Sequence, residues 1–564
     1  MIDNETTIIL CGGQINFTNL PVGSNFSNAM IPVNGKPVIG WILDDLLAKD
    51  IRSAVIVLRQ SNHRLAEFVQ RAYSNRMKIK LALLAQEGTI VQSLAAGLMT
   101  KPVDGVVRVV LGDTLIRDSF DAQQSFVYVG EVEESRRWCL AVTDRNGKVL
   151  NYQDKQEIAP KPYLALAGYY HFLRGDLLQR CANVAVADGA RELSDVLTRY
   201  AAYEPIYAKR VKDWFDFGNT DNLIAARQRL LQPRYFNTLN INPVLGTITK
   251  ISQHNEKLRD ELNWYLALPE ELKVLTPRIV NYAEEGERLQ IVQEYYGYPT
   301  LAELYIYGEL HLDTWSFILR RVLGIHSEFI KHQGVLEQQY IEAMYVGKTF
   351  ERLLNLMGQE KWRLILEQEE IVFNGRVLRG WNVIQNDVKE MIHRIAKNTP
   401  VSVIHGDYCF SNILYDLSNQ IVRLIDPRGS FGRNGIYGDA RYDIAKLRHS
   451  ICECYDYIVA DMYDLQVHDG KYEAQIYHGG LPPMLGAIFD QSISEMGYDL
   501  NEIRFIEGLL FISMLPLHQD HSNRQLMMFL TGLSLLNEVL ECGLPLTWTE
   551  QYARSNKPIN PTLT

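Results

Sequence analysis

The sequence predicts an α/β domain with a mixed, mostly parallel sheet, followed by a two-lobed α+β domain. Residues 1–232 alternate apolar strand-like runs with amphipathic helical patterns, as chains with parallel sheets do. Short strand patterns occupy residues from about 233 to 300, and long helical patterns dominate from about 301 to 564. A chain of 564 residues also exceeds the usual size of one hydrophobic core, so more than one domain is expected.

Composition and charge argue against several classes of protein. The formal net charge is −10 and there is no long run of Lys and Arg, so binding to nucleic acid or to an anionic membrane is not expected. The seven cysteines are scattered, which fits reduced thiols better than a disulfide or zinc framework. The first residues lack the pattern of a signal peptide, and no window of roughly 18 apolar residues predicts a membrane span. We therefore expect a cytoplasmic protein, and assembly into a homo-oligomer stays open.

The first part begins with a strand that runs into a turn of two glycines, Gly12 and Gly13, in TTIILCGG. NAMIPVNGKPVIGWILDDLLAKDIRSAVIVL then predicts a helix and a second strand, and VRVVLGDTL predicts a buried strand with Asp113 just past its end. Ligands of such sheets bind beyond the carboxyl ends of the strands. Glycines there let the backbone approach a phosphate, although a tight strand-to-helix turn explains the pair equally well.

Six segments of this part follow one another in the order CGG, EGTIVQSLAAGL, VVLGDTL, VLNYQDKQ, LAGYYHF and WFDFGNTDNLIAARQRLL. On these segments the first part, over about 230 residues, resembles the sugar-phosphate nucleotidylyltransferases, which implies a Rossmann-like fold. The resemblance implies that Asp113 and Asp216 hold Mg²⁺ on the phosphates of CTP or another nucleoside triphosphate. It further implies that Gly88 and Thr89 lie near the nucleotide base and Lys155 against the sugar phosphate, while Gly12 and Gly13 are expected at the phosphates.

The opening loop departs from the pattern of that family. The family reads Gly-x-Gly-Thr-Arg and later Pro-Lys, whereas no Arg or Lys occurs here between Gly12 and Lys36, and Ser27-Asn28 replaces Pro-Lys. Loss of such preorganised charge typically costs orders of magnitude in rate. Three hypotheses stay open: a working transferase with cations from elsewhere, a domain that binds without turnover, and a scaffold. The matches at Asp113, Lys155 and Asp216 favour retained binding or activity.

The second part is predicted to begin near residue 233, in a Pro- and Asn-rich stretch, and to pack against the first. GTITKIS predicts a short strand with Lys250, and the charged helix after it contains Glu261. LQIVQEYYGYPTLAELY predicts a strand that ends at residues 294–297, followed by a helix. A small β-rich lobe, an extended connector and a larger helical lobe form the two-lobed plan of a kinase, with ATP in the cleft between the lobes.

The stretch VIHGDYCFSNILYDLSNQIVRLIDPRG, residues 403–429, carries the chemistry of this part. Asp407 and Asn412 lie on one loop, and Asp426 follows the next apolar run. Phosphoryl transfer requires a carboxylate for the acceptor hydroxyl and oxygen ligands for Mg²⁺, so these three side chains match that chemistry. Polar turns between strands are the alternative, which the spacing and the flanking strands disfavour.

This stretch resembles the aminoglycoside phosphotransferase and choline kinase group, whose loop reads His-Gly-Asp-x-x-x-x-Asn with a following Asp. The resemblance extends roughly over residues 240–540 and implies that Asp407 is the catalytic base, while Asn412 and Asp426 bind Mg²⁺. It also implies four ATP-binding residues: Lys250, Glu261, Glu294 and Tyr296. Lys257 is an alternative to Lys250, and the tyrosines after Glu294 also fit ordinary packing.

Three further residues of this region, His405, Asp443 and Arg428, are expected to have supporting roles or have two possible roles. His405 is expected to support the loop rather than to transfer a proton, and Asp443 to anchor the loop from below. Arg428, two residues beyond Asp426, either meets a phosphate or an anionic substrate or pairs with a local carboxylate.

Together these patterns predict a bifunctional protein. An ATP- and Mg²⁺-dependent kinase would phosphorylate a hydroxyl of a small molecule, a sugar or polyol, and the first part would convert such a product into an activated nucleotide-linked donor. The resemblance suggests capsule or other surface polysaccharide as the destination. One alternative keeps only the kinase, with a noncatalytic first part that binds nucleotide or sugar phosphate. Another is a pseudoenzyme scaffold, against which the intact set of Asp407, Asn412 and Asp426 argues.

Overall fold

A computed structural model describes most of the chain. The described residues are 5–13, 26–85, 88–120, 123–156, 163–218, 220–230, 237–252, 255–285 and 288–542. The predicted boundary near residue 233 falls outside these ranges. Within them, none of the helices combines the length and apolar character needed to cross a lipid bilayer.

The first part alternates strands and helices, as its sequence predicts. In chain order the elements are β1 (Glu5–Leu10), β2 (Pro32–Val33), β3 (Lys36–Pro37), α1 (Val38–Ala48), β4 (Ser53–Arg59), α2 (His63–Tyr73), β5 (Lys78–Leu84), α3 (Ile90–Leu98), β6 (Val106–Leu111), β7 (Thr114–Ile116), β8 (Phe126–Val132), β9 (Cys139–Thr143), β10 (Val149–Asp154), β11 (Tyr163–Phe172), α4 (Gly175–Ala187), α5 (Leu193–Ala201), β12 (Tyr207–Arg210), β13 (Trp214–Asp216) and α6 (Thr220–Arg229).

Nine of these strands form one mixed sheet, with the main order β10-β9-β11-β6-β1-β4-β5. Strand β1 pairs in parallel with β4 and β6, and β4 pairs in parallel with β5. Strand β11 joins β6 in the antiparallel direction. The central strands consist largely of β-branched residues that are buried on both faces, because helices cover both sides of the sheet. The predicted mixed, mostly parallel α/β sheet of the first part is therefore confirmed.

The topology brings two aspartates to the same edge of this sheet. Asp113 lies two residues beyond the end of β6, and Asp216 ends β13. Strand β13 pairs antiparallel with β7, and Asp216 stands opposite Thr114 in that register. The backbone amide of Phe217 donates to the carbonyl oxygen of Asp113 at 3.0 Å. Two residues about a hundred positions apart in sequence thus become neighbours.

The second part starts with strands and continues mainly with helices. Its elements are β14 (Asn237–Asn242), β15 (Thr247–Ser252), α7 (Asn255–Ala267), α8 (Glu270–Lys273), β16 (Ile279–Glu285), β17 (Arg288–Glu294), α9 (Leu301–Tyr307), α10 (Leu312–Ile330), α11 (Gln338–Glu342), a π-helical segment (Ala343–Glu351), α12 (Arg352–Met357), α13 (Glu360–Leu366), β18 (Glu370–Phe373), β19 (Arg376–Arg379), α14 (Trp381–Ala396), β20 (Val401–Val403), β21 (Ile413–Asp416), β22 (Ile421–Leu424), β23 (Tyr437–Asp439), α15 (Ala440–Ile451), α16 (Tyr455–Val459), β24 (Tyr463–His468), β25 (Lys471–Ile476), α17 (Leu481–Glu495), α18 (Leu500–Met514) and α19 (Ser522–Cys542).

Four antiparallel strands, in the order β14-β15-β17-β16, form the sheet that opens the second part. Helix α7 packs on this sheet through Leu258 and Leu262, which bury against Leu289 and Ile291 of β17. A further sheet, β19-β18-β25-β24, lies within the mainly helical region and was not predicted from the sequence. Its strands are short and partly exposed, so they give a weak apolar pattern.

The two parts contact each other through β2, β3 and α2 on one side and α9 on the other. The backbone amide of Gly35 donates to Glu303 Oε1 at 2.7 Å, and Arg64 donates to the carbonyl oxygen of Ile306 at 3.0 Å. The rings of Phe68 and Tyr307 pack edge to face with 5.8 Å between centroids. Apolar, polar and charged contacts therefore all contribute to this interface.

Candidate active sites

A cavity of about 440 Å³ lies between the four-stranded sheet and the helices of the second part. Four of the residues predicted to bind a nucleotide or metal line it: Lys250, Glu294, Tyr296 and Asp426. Residues of the first part also contribute to its wall, namely Asn34, Gly35 and Arg227. Apolar side chains from the sheet and from the loop side, Ile248 and Leu414, complete a space suited to a flat ring.

Lys250 joins the sheet, helix α7 and the loop after β22. Its Nζ lies 2.7 Å from Glu261 Oε1 and 2.6 Å from Asp426 Oδ1. Burial alone would lower the pKa of Lys250, but the two carboxylates outweigh burial and raise it above its ordinary value. Lys250 is therefore a fixed cation. Because it contacts Asp426 directly, it stands next to the residue predicted to bind Mg²⁺.

The loop that carries Asp407 is held by the buried carboxylate of Asp443. This carboxylate accepts hydrogen bonds from the backbone amides of His405 at 2.7 Å and Gly406 at 2.9 Å. Gly406 has φ +75°, and a Cβ there would lie 2.8 Å from the Cβ of Arg428, so a larger residue would strain the turn. Asp443 thus contacts the underside of the loop.

His405 packs inside the protein. Its ring contacts Trp264 edge to face at 5.5 Å between centroids, and burial lowers its pKa to about 4. A neutral buried ring supports the loop and is poorly suited to proton transfer near pH 7.

Asn412, one of the two predicted metal ligands, contacts the predicted base. Its Nδ2 donates to the Asp407 carboxylate at 2.9 Å, which orients the amide. Its Oδ1 is buried, and no donor reaches it among the described residues. Asp426, the other predicted ligand, has φ +55°, a conformation unusual for a residue with a side chain. An unpartnered amide oxygen and a nearby carboxylate are the hard donors that Mg²⁺ prefers, so these residues fit that ion.

Asp407 forms an ion pair that the sequence did not suggest. Lys446 Nζ, on α15, lies 2.8 Å from Asp407 Oδ1. Burial would raise the pKa of Asp407, but Lys446 and Arg428 outweigh it and hold the pKa well below its usual range. The carboxylate is therefore ionised throughout the physiological pH range and able to accept a hydrogen bond from a hydroxyl.

Arg428 contacts an aromatic residue. Its Nη1 donates to the hydroxyl of Tyr442 at 2.9 Å, and its guanidinium lies 5.2 Å from the centroid of that ring. Within the described ranges, no carboxylate lies within ion-pair distance of this guanidinium. Of the two alternatives left open by the sequence, direct pairing with a carboxylate is therefore not seen in that part of the chain. Burial would lower the pKa of Arg428, but Tyr442 and the nearby charges of Asp407 and Asp443 outweigh burial and raise it.

Glu294 and Tyr296 lie at the end of β17, where the sheet meets the helices. The hydroxyl of Tyr296 donates to Glu294 Oε2 at 2.9 Å, and the guanidinium of Arg423 lies 4.9 Å from the Tyr296 ring centroid. The backbone amide of Tyr295 donates to the carbonyl oxygen of Gly246, in the turn between β14 and β15. These contacts fix the connector along one wall of the cavity.

Asp113 and Asp216 converge in the first part. A Cβ on Gly218 would lie 3.2 Å from Asp216 Oδ1 and 3.8 Å from Asp113 Oδ2, so both carboxylates face the space that this glycine leaves open. Burial raises the pKa of both aspartates, and for Asp216 the charge of Asp113 adds to this effect. A pair of carboxylates that repel each other fits a divalent cation.

Asn28 occupies a position next to this pair. It stands where the nucleotidylyltransferase pattern has Lys, and its Nδ2 donates to Asp113 Oδ2 at 3.2 Å. A neutral amide thus contacts the carboxylate from the place where the pattern has a cation. Arg59, at the end of β4, supplies positive charge nearby, because its Nε donates to the carbonyl oxygen of Gly12 at 2.9 Å.

The other residues predicted to contact ligands in the first part have local partners. Thr89 caps α3, accepting a hydrogen bond from the backbone of Gln92 in a capping box. Gly88 precedes this cap, and Gly13 lies beside Asn28. Lys155 is exposed, and its Nζ lies 3.2 Å from Glu192 Oε1. The structure thus brings Asp113 and Asp216 together, and it pairs Lys155 with Glu192, the residue directly before α5.

Some residues at these sites carried no recognisable signal in the sequence. Lys446 lies in a helix whose twelve residues are all buried, so periodicity could not select a face. Lys348 lies in the π-helical segment, where the side-chain period differs from that of an α-helix. Arg227 reaches the cavity from the other part of the chain.

Comparison with known proteins identifies the first part. Residues 6–233 match the family model for nucleotidyl transferases, so this portion is a nucleotidyl transferase domain. No curated protein matches the chain significantly.

Two solved structures illustrate the similarity. A protein of Bacillus anthracis described as a glucose-1-phosphate thymidylyltransferase, in complex with sucrose, is 18% identical, with a TM-score of 0.36; the match covers 41% of this chain and 97% of that one. The CTP:phosphocholine cytidylyltransferase of Streptococcus pneumoniae is 16% identical, with a TM-score of 0.34; the match covers 40% of this chain and 99% of that one.

Proposed function

We propose that the second part of this chain is an ATP- and Mg²⁺-dependent kinase for a small-molecule hydroxyl, joined to the nucleotidyl transferase domain of residues 6–233. The observation that carries the proposal is the convergence of Lys250, Glu261 and Asp426 at a cavity beside the Asp407–Asn412 loop. A lone lysine paired with a carboxylate is common in proteins. A lysine that reaches two carboxylates from separate elements supports phosphate and metal binding, and so does the Asn412 amide oxygen, which no donor reaches among the described residues.

Each residue has a defined task in this proposal. Lys250 binds the α- and β-phosphates of ATP, and Glu294 and Tyr296 contact the base. Asn412 and Asp426 hold Mg²⁺, which when bound neutralises charge on the phosphates. The acceptor hydroxyl oxygen forms a bond to the γ-phosphorus while the bond to the β–γ bridging oxygen breaks, and ADP leaves. Asp407 accepts the proton of the hydroxyl.

The nucleotidyl transferase domain is proposed to consume a phosphorylated product. An oxygen of the sugar or polyol phosphate forms a bond to the α-phosphorus of CTP or another nucleoside triphosphate, and pyrophosphate leaves. The convergence of Asp113 and Asp216 supports a Mg²⁺ site for this step. The product would be an activated nucleotide-linked donor, the class of compound that surface polysaccharide assembly uses.

The kinase proposal is tested with the full chain, ATP, Mg²⁺ and a panel of sugars and polyols. We expect ADP release with at least one acceptor, and loss of this release in Asp407→Asn with the circular dichroism spectrum preserved. Arg363→Gln, a change on the exposed face of α13, serves as the control and should leave ADP release intact. Turnover of Asp407→Asn at the wild-type rate would refute the assignment of the base.

A second candidate keeps the kinase and makes the first domain a binding domain. Asn28, a neutral residue at a position where the family pattern has Lys, favours this version. The two versions differ in pyrophosphate release from CTP, UTP, GTP or dTTP with a sugar or polyol phosphate. If pyrophosphate forms, Asp113→Ala should abolish it and leave ADP release unchanged. If no combination releases pyrophosphate, the binding-domain version stands.

A further inference from the structure

Four cationic side chains form a cluster near Asp407, here called the cation cluster: Lys348, Arg352, Arg428 and Lys446. They come from the π-helical segment, the start of α12, the loop after β22 and α15. The buried hydroxyl of Tyr442 joins two of them, because it accepts a hydrogen bond from Arg428 at 2.9 Å and from Lys348 at 3.2 Å.

The cation cluster carries more positive charge than its surroundings neutralise. Lys446 pairs with Asp407, and Arg352 donates to the carbonyl oxygen of Ser513 at 2.6 Å. Arg428 and Lys348, in contrast, have no carboxylate within ion-pair distance in the portion that the structure describes. The charges of Asp407 and Asp443 act on Arg428 from beyond ion-pair distance, but Asp407 is shared with Lys446, so the four cations outnumber the nearby carboxylates. Burying such an excess of positive charge is costly, so an anion at this place would lower the energy of the folded state.

The pKa of Lys348 agrees with this excess of positive charge. Burial, together with the charges of Arg428, Lys446 and Arg352, lowers the pKa of Lys348 well below its ordinary value. Asp407 opposes this effect and does not overcome it. An anionic ligand would restore the full charge of Lys348.

The position of the cation cluster separates it from the nucleotide cavity. None of its four side chains belongs to the described wall of the 440 Å³ cavity that contains Lys250 and Glu294. One of them, Lys446, instead contacts Asp407, the proposed base. The cluster therefore adjoins the place of the acceptor hydroxyl rather than the base and sugar of ATP.

Lys348 lies in an uncommon type of helix. It lies in a π-helical segment of nine residues, Ala343–Glu351, between α11 and α12. Such segments are rare, widen the helix and occur frequently at functional sites. Met344 of the same segment contacts Arg428 through its sulfur at 3.9 Å, which gives the cluster an apolar wall.

We propose that the cation cluster binds an anionic group, a phosphate or a carboxylate, on the hydroxyl-bearing acceptor, with Lys348 and Arg428 as the direct contacts. This inference rests on the proposed kinase function and narrows its substrate class to anionic alcohols. Lys446 positions Asp407, and Tyr442 positions the two direct contacts.

The test compares acceptors that share a carbon skeleton and differ in charge. Glycerol, glycerate and glycerol 3-phosphate form one such set, and a hexose, its uronate and its 6-phosphate form another. We expect kcat/KM for an anionic member to exceed that of the neutral member by about tenfold or more, because charge-assisted hydrogen bonds are stronger than hydrogen bonds between neutral groups. Comparison of kcat/KM for the carboxylate-bearing and the phosphate-bearing acceptors then identifies which anion is preferred.

Variants then connect the preference to the cluster. Lys348→Met and Arg428→Gln should each lower kcat/KM for the anionic acceptor about tenfold or more and leave KM for ATP within about twofold. Lys348→Arg should restore part of the loss, and Arg363→Gln should have no effect. Equal rates with neutral and anionic acceptors in the wild type would overturn the proposal. A rise in KM for ATP in place of the loss would assign the cluster to the γ-phosphate and overturn it too.

A binding measurement keeps this test independent of turnover. Isothermal titration of glycerol 3-phosphate and of inorganic phosphate into the full chain should give heat that Lys348→Met and Arg428→Gln remove. If no acceptor yields ADP but this binding is seen and lost in the variants, the kinase function fails and the anion site stands. If ADP forms and neither anion binds at the cluster, the kinase stands and the anion site fails.

Discussion

Lys446 Nζ lies 2.8 Å from Asp407 Oδ1, so the proposed catalytic carboxylate has a cationic partner within the protein itself. This pairing restrains the side chain and keeps it ionised. A carboxylate held at so low a pKa is a weak proton acceptor in the ground state, so its first task is to orient the acceptor hydroxyl.

Replacing Lys446 by Met should change the pH dependence of ADP release. Without the ammonium, burial dominates and the pKa of Asp407 rises, so the acidic limb of the rate profile should move to higher pH. We also expect kcat to fall about tenfold to a hundredfold, with KM for ATP nearly unchanged. Rates from pH 5 to 9 would measure both effects, with the exposed Lys397→Met as the control. An unshifted profile would show that Lys446 does not tune Asp407.

The pair of Lys250 and Glu261 gives a second prediction. Glu261→Gln removes one carboxylate from Lys250 and leaves the contact to Asp426, so Lys250 should be drawn away from the nucleotide phosphates. KM for ATP should rise about tenfold, and Lys250→Met should raise it further. Initial rates of ADP release at varied ATP measure the change. Glu284→Gln breaks an exposed ion pair between β16 and Arg259 of α7, and it should leave KM unaltered. A similar rise in both variants would contradict a specific role for Glu261.

A third prediction concerns Arg59 in the nucleotidyl transferase domain. Its contact to Gly12 places a cation at the opening turn, where the usual basic residues of the loop are missing from the sequence. If this domain releases pyrophosphate, Arg59→Met should reduce the rate about a hundredfold, because preorganised charge stabilises the departing group. The matched control is Arg52→Met, because Arg52 is exposed and directly precedes β4, the strand that Arg59 ends. Equal pyrophosphate release in both variants would exclude Arg59 from this role.

A fourth prediction concerns stability and pH through His326 of α10. Burial lowers its pKa from 6.5 to about 3, and its Nε2 lies 2.6 Å from the Tyr498 hydroxyl. Below pH 6.5 the unfolded chain therefore binds a proton that the folded chain does not. His326 has no effect on stability above pH 6.5, and it destabilises the folded state increasingly as the pH falls towards 3. At pH 5 this destabilisation amounts to about 2 kcal/mol.

Urea unfolding at pH 7.5 and 5.0 measures this effect. His326→Gln cannot be protonated, so its free energy of unfolding should fall by about 2 kcal/mol less than that of the wild type between the two values. His468→Gln, at an exposed position of β24, should behave like the wild type. The same decrease in all three proteins would show that His326 does not govern the acid sensitivity.

The sequence predicted most of the features that depend on local pattern. The alternation of β1, α1, β4 and β6 follows from apolar periodicity, and the mixed sheet of the first part agrees with it. Lys250 and Glu261 fall on the strand and helix assigned to them, and the structure joins them. These features could be predicted because neighbouring residues in sequence determine them.

Features that depend on distant contacts could not be predicted in this way. Strands β18 and β25 pair in parallel although about a hundred residues separate them, and neither has a strong apolar pattern. Lys446 lies on a helix buried on every side, so its direction is set by packing alone. Lys348 becomes a neighbour of Arg428 through a π-helical segment, whose register no amphipathic pattern reveals.

Glu303 of α9 is almost fully buried and takes two of its partners, Gly35 and Arg227, from the nucleotidyl transferase domain. Cutting the chain between its halves would leave this carboxylate, among the described residues, with the cap of its own helix alone and would remove part of the wall of the 440 Å³ cavity. An inactive fragment of the second half would therefore not count against the kinase function proposed for the full chain. The two parts of the chain are thus joined by shared buried contacts as well as by the continuous backbone.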